Sequence, residues 1–259
     1  MPPHMLAPLL LIATLALLVW AQRNDRRGFE RFRTIEDTLQ RQRIFRRWAV
    51  RGCALYLGMP LAGLALLGRL QALWDFPHEF APLLPYAPVF AVDDIAFLGP
   101  VLIGALGGLV LGGSILVLRS RRPAKPKHAL DISPMVPRNR AETLHILPVI
   151  LNAGVSEEVC FRLYVPLLAT LCGAPAWAAF LAATLLFGWL HRYQGWLGVL
   201  LTGAVGATLA VFYVGAMGLA LPVAVHLLLN LNALLLRPAI QRRFRRTAID
   251  TDNTPVTPS

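Results

Sequence analysis

The chain has 259 residues, of which 56% are apolar and only 15% charged, against about 25% charged in soluble domains. Mean hydropathy is +0.56, and several apolar runs approach the roughly 20 residues that cross a bilayer core. These figures exclude an ordinary soluble enzyme, a disordered chain and a disulfide scaffold. They predict an all-α fold, a polytopic transmembrane helix bundle.

The net charge of +11 does not point to nucleic acid, because the bases are clustered. Ten Arg against four acids lie from Arg23 to Arg51, and seven Lys or Arg against Asp131 lie from Arg119 to Arg140. Arg237, Arg242, Arg243, Arg245 and Arg246 lie in the tail. Each cluster flanks an apolar run, the pattern of cytoplasmic loops. The partner this distribution points to is the lipid bilayer. Cys53, Cys160 and Cys172 lie in or beside apolar segments and read as reduced packing residues.

In chain order, residues 6–21 form the first apolar run. No Lys or Arg precedes it and the Arg-rich segment follows. This predicts an uncleaved anchor with its N-terminus outside rather than a signal peptide. Residues 23–48 mix Arg with Phe29, Phe32, Ile35, Leu39, Ile44 and Phe45, and predict a basic interfacial helix on anionic lipid. A second span covers about 49–70. The following loop carries Asp75, Glu79, Asp93 and Asp94 and lies outside. Pro77, Pro82, Pro85 and Pro88 forbid a long helix there. A third span, about 95–118, carries Gly104, Gly108 and Gly112 at four-residue spacing, a packing stripe. Residues 119–140 read as a cytoplasmic loop.

Arg140 and Arg237 both belong inside, so an even number of spans separates them. Four fit, at about 155–171, 175–190, 196–214 and 217–236, making seven in all. Residues 141–152 contain Pro148. Joined to the next span they would make a helix of about 30 residues and roughly 45 Å, against a core of about 30 Å. The reading is therefore a separate interfacial helix, a break near 152–154, and Ser156 as N-cap. The organisation is an N-terminal membrane region (1–140) read as an anchor, a core (141–236) and a basic cytoplasmic tail (237–259). The high Ala, Leu, Arg, Gly and Pro content points to a bacterial inner membrane.

Ionisable groups within spans cost about 2.5–3.5 kcal/mol each on insertion scales and mark function. Here they are Glu157, Glu158, Arg162, His191 and His226, with Asn230 as a polar companion. Asn230 and His226 lie about 10 and 16 Å from the boundary at Arg237. His191 sits beside Arg192, and the glutamates begin a span that leaves the cytoplasm. All share the cytoplasmic half of the membrane, as one site requires. Glu158 and Arg162, four apart, can pair. Glu157 points about 100° away and is left without that partner, suited to take a proton from water. His226 and Asn230 can together donate to a developing oxyanion. His191 can orient the water, or join Glu157 and His226 as a ligand of Zn2+. A structural staple, an interfacial histidine and helix-gluing asparagine use the same residue types.

Glu157-Glu158-Val-Cys-Phe-Arg162 fits EExxxR, Phe187-Gly-Trp-Leu-His191 fits FxxxH, and His226-Leu-Leu-Leu-Asn230 fits HxxxN. In that order, over about residues 141–236, the chain resembles the CPBP family of intramembrane proteases. That family spans Rce1-type CAAX prenyl endopeptidases and bacteriocin-processing or self-immunity proteins. The resemblance implies a membrane endopeptidase acting on a membrane-associated, lipidated or spanning protein. Glu157 would activate water, supported by Glu158 and Arg162. His191 would hold the water, and His226 and Asn230 would stabilise the oxyanion. The family is named for metalloproteases, and a metal-independent glutamate mechanism has been argued for its CAAX branch; these residues suit both. There is no HExxH site, since His78-Glu79 continues Phe-Ala-Pro. Two other functions draw on the same groups: a non-proteolytic self-immunity or partner-binding protein, and a proton-coupled transporter.

Overall fold

The computed structural model describes residues 3–89 and 132–242. The third predicted span with its glycine stripe, most of the basic loop after it and the end of the tail lie outside these residues. Among the described residues the fold is all helical. Its long elements are α1 (Pro3–Phe32), α2 (Thr38–Leu66), α3 (Arg140–Leu171), α4 (Ala176–Leu190), α5 (Trp196–Gly215) and α6 (Ala220–Arg242). All but α4 are long and apolar enough to cross a membrane, which makes the chain an integral membrane protein. With α4 only 15 residues long and the third predicted span undescribed, the described residues carry five such helices rather than the predicted seven.

α3 is the central post. Every residue from Glu158 to Leu168 is buried, as befits a helix packed on all sides. Leu163, Tyr164, Leu167 and Leu168 pack with Ala7 of α1, Leu64 of α2, Phe180 of α4 and Tyr213 of α5. Phe80, from the turn after α2, closes this cluster with its ring centroid 4.9 Å from that of Phe180. The outer helix faces expose Leu9, Ile12, Trp20, Val50, Trp177, Leu185 and Leu200. In water such a surface would aggregate; around a bundle it fits lipid.

Three expectations need correction. First, residues 23–48 are not one helix. α1 runs unbroken for 30 residues, roughly 45 Å, so its Arg-rich end projects straight out of the span. The chain then turns, and α2 starts on Asp37, whose carboxylate accepts from the amides of Leu39 and Gln40 at 3.3 and 3.0 Å.

Second, there is no break near 152–154 and no separate interfacial helix. α3 is continuous for 32 residues. Its N-cap is Asn139, accepting from the Glu142 amide at 2.9 Å, rather than Ser156. Pro148 is absorbed within it. The irregularities are instead wide π turns at Ala54–Gly58, Val159–Tyr164 and Asn232–Leu236. Each ends two residues before a proline: Pro60, Pro166 and Pro238. Proline has no N–H to offer the carbonyl four residues back, and a local i→i+5 register absorbs that gap without ending the helix.

Third, the N-terminal region is more than an anchor. α2 lies along α3, and Phe32, Phe45, Ile146, Ile150 and Leu234 form a shared core at this end of the bundle. Arg41 is buried there, 4.3 Å from the centroid of the Phe32 ring. It donates to the carbonyl of Pro134 at 2.7 Å and lies 3.1 Å from the Glu142 carboxylate. Arg138 meets the same carboxylate at 3.4 Å. This knot ties the α1–α2 turn, the 132–139 strap and the start of α3 together.

On the other side, Arg69 holds Glu79 through two hydrogen bonds of 2.8 Å. Burial raises the Glu79 pKa, and the Arg69 bonds, a backbone hydrogen bond and the charges of Arg69 and His78 together outweigh it, leaving it below the ordinary carboxylate value. A depressed folded pKa means stability that is present above the unfolded pKa and lost as pH falls through the folded one. Thermal melts of wild type and Glu79→Gln are therefore expected to converge on acidification below the normal carboxylate range. A gap that persists unchanged there would contradict this assignment.

α4 and α5 meet at Gly188, where an added Cβ would lie 2.9 Å from the Val199 carbonyl oxygen and 3.1 Å from the Gly203 Cα. Both are backbone atoms and cannot move aside alone. Gly188→Ala is expected to cost about 1–3 kcal/mol by overpacking, read as a lowered melting temperature. His191 is one turn on, so its placement depends on the same close approach.

Candidate functional site

The six polar residues singled out in the sequence come from three helices. Glu157, Glu158 and Arg162 sit on α3 at the start of its π turn, His191 caps the end of α4, and His226 and Asn230 lie on α6. α3 and α6 approach closely at Gly154, where any Cβ would run into the Leu227 side chain. That approach places Glu158 beside His226.

Two layers result. In the buried layer Glu158 and Arg162 are both 0% exposed, with Arg162 Nε 3.0 Å from Glu158 Oε2. The contact is an ion pair rather than a well-aligned hydrogen bond, since both atoms lack hydrogen-bond partners. The Arg162 guanidinium also stacks 4.7 Å from the Phe187 ring centroid, a cation–π contact that eases its burial. Glu158 Oε1 lies 2.7 Å from His226 Nδ1. Next to Arg162 this carboxylate is an acceptor, so Nδ1 carries the proton. Glu158 thus joins the Arg162 post to the histidine and fixes the plane of its ring.

In the open layer Glu157, His191, His226 and Asn230 all line one cleft of about 230 Å³. Glu157 Oε2 is buried with no hydrogen-bond partner and lies 3.9 Å from His226 Nε2. That is too long for a direct hydrogen bond and within the span of one bridging water. His191 Nδ1 is 2.8 Å from the Phe187 carbonyl. A carbonyl can only accept, so Nδ1 carries the proton and Nε2 is left with its lone pair.

The donors for the expected Zn2+, Glu157, His191 and His226, all reach this cleft. Yet among the described residues no group of three His, Cys, Asp or Glu side chains is arranged to hold a metal ion. The donor set is present and the geometry does not gather it.

Sequence reasoning missed the rest of the cleft. Phe29 of α1, Trp48, Arg51, Gly52, Leu55 and Tyr56 of α2, and Ile132 and Met135 of the strap complete its walls. Asn152 of α3 also lines it, its amide reaching the Ala49 carbonyl at 3.4 Å. One signal was available: Asn139 with Glu142 three residues later is a helix-start signature, and it marks the acid that anchors the strap. The three cysteines are free.

Comparison with known families gives a match. Residues 139–232 match the model described as type II CAAX prenyl endopeptidase Rce1-like, a segment that contains all six residues. No curated protein and no solved structure matches the chain. Residues 139–232 are thus similar to the Rce1-like type II CAAX prenyl endopeptidases.

Proposed function

We propose that this protein is an intramembrane endopeptidase that cleaves a membrane-associated protein with a water activated by Glu157. The observation that carries the reading is the unpartnered Glu157 Oε2 standing 3.9 Å from His226 Nε2 in a cleft that His191 and Asn230 also line. A water between them loses a proton to Glu157 as its oxygen attacks the scissile carbonyl carbon. The tetrahedral oxyanion then accepts from the Asn230 amide and from His226 Nε2–H. With Glu158 and Arg162 cancelling, a protonated His226 and an ionised Glu157 leave the site neutral. That is the state in which His226 can donate from both nitrogens. When the C–N bond breaks, Glu157 returns its proton to the leaving amine. His191, with its Nε2 lone pair, accepts from the water and orients it.

The polar cleft residues, their link to one family of proteases and the apolar walls favour peptide hydrolysis over transport or passive binding. Terminus-resolved mass spectrometry of membranes with and without the protein tests this reading. New termini within membrane proteins are expected only where the protein is present. Identical termini would turn the reading toward a non-proteolytic partner-binding role.

A further inference from the structure

The six polar residues of the site all fall within residues 139–232, yet α1, far outside that segment, contributes Phe29 to the cleft wall. Leu18, Ala21, Phe29 and Phe32 fall on one stripe of α1, and all are buried. The stripe is pinned at both ends. Leu18 packs with Phe161 and Phe187, and the Phe32 ring centroid lies 5.3 Å from that of Phe45 and 4.7 Å from that of Trp48. Between these points the Phe29 ring stands 5.0 Å from the Tyr193 ring, and Tyr193 stands 5.8 Å from the His191 ring.

His191 opens a 3-10 turn of four residues that ends at Gly195, in the left-handed region at φ +85°. So short a turn has poor hydrogen-bond geometry of its own, and side-chain contacts orient the imidazole. The Nδ1–H bond to the Phe187 carbonyl sets the tautomer. The rings of Phe187 and Tyr193, 4.8 and 5.8 Å away, are at the separations of packed aromatic pairs and set the plane. Gln194 donates to the Tyr193 hydroxyl at 2.9 Å, and Phe29 ties the Tyr193 ring to α1.

We propose that Phe29 is a positioning residue for the reaction: it backs Tyr193, which holds the His191 ring so that Nε2 accepts from the attacking water. α1 thereby takes part in the site without touching the reacting atoms. The proposal rests on the peptidase reading and adds a residue that the matched segment does not contain.

The test begins with a measurement that needs no substrate. The full chain, labelled with nitrogen-15 in its histidines and held in phosphatidylcholine bilayers, is read by solid-state NMR in mildly alkaline buffer. Loss of signals in His191→Ala and in His226→Ala assigns each ring. Wild type is expected to show one His191 ring state, with Nδ1 protonated. Phe29→Ala should split or broaden that signal pair and leave His226, held by Glu158, unchanged. Phe29→Leu keeps apolar bulk behind Tyr193; it should show a smaller effect, and it supplies the comparison if the alanine variant does not fold. His191 signals identical in wild type and the Phe29 variant would overturn the proposal. Signals of His191 and His226 changing together would also overturn it, as a general loss of packing.

The second measurement is cleavage of a quenched fluorescent peptide spanning a site found among the new termini. Phe29→Ala should lower kcat about ten- to a hundredfold, the scale of a misplaced catalytic group, with KM little changed. In a His191→Ala background the same substitution should add nothing, since both act through one ring. An equal fall in both backgrounds would overturn the proposal. Failure of wild type to cleave, with the NMR difference intact, would count against the peptidase reading and not against the hold of Phe29 on His191.

Discussion

Glu157→Gln is expected to lower kcat by at least about a hundredfold, the lower end of what general-base catalysis contributes, with little change in melting temperature. The substitution keeps the shape of the side chain and removes its basicity. Folding loses little, because Glu157 Oε2 has no hydrogen-bond partner to forfeit and the side chain borders the cleft rather than the core. KM should change less than kcat, since the lost interaction belongs to the transition state. A variant that keeps its rate would remove Glu157 from the mechanism. A variant that melts well below wild type would assign it a structural role instead.

Glu158→Gln is expected to act in the opposite way, through stability. Its carboxylate neutralises Arg162 at 3.0 Å and holds His226 at 2.7 Å, and both Glu158 and Arg162 are fully buried. Removing one partner of such a pair leaves a charge without compensation, at a cost of about 3–5 kcal/mol. The double variant Glu158→Gln/Arg162→Met removes both charges and should recover much of that loss, because an apolar pair of similar volume is tolerated where a lone charge is not. Cleavage should not recover with it, since His226 would no longer be held by an ionised carboxylate. Thermal melts in one detergent, read beside cleavage, separate the two effects. Equal melting of Glu158→Gln and wild type would contradict the pairing.

These expectations rest on residues that are legible in the sequence for a simple reason. Charged groups are expensive in apolar segments, so the few that occur stand out, and helical spacing tells which share a face. Glu158 and Arg162 pair as their four-residue spacing requires, and His226 and Asn230 reach the same cleft. Helix irregularities were readable too, by a different rule from the one applied. Pro148 suggested a break, yet the chain deforms just ahead of Pro60, Pro166 and Pro238, where π turns take up the missing amide. The turn at Val159–Tyr164 carries Arg162, and Leu55, Tyr56, Phe161 and Leu234 of the three turns line the cleft.

The facing wall was not legible. Arg41 and Arg51 lie in a run of ten arginines, and nothing local distinguishes the buried one or the cleft-lining one from those in solvent. Their roles come from packing α2 against α3, some hundred residues further along the chain. Burial of Arg41 depends on the Glu142 carboxylate and on the Phe32 ring, contacts that only the assembled bundle brings together.

The central claim, that Glu157 activates the water that cleaves the peptide bond, is tested most directly by following that water. Membranes holding wild type or Glu157→Gln at matched levels would be incubated in oxygen-18 water, and the new C-termini read by mass spectrometry. The account requires one heavy oxygen in each new carboxylate with wild type, and no new termini with Glu157→Gln. New termini of equal abundance and equal label from both proteins would contradict it.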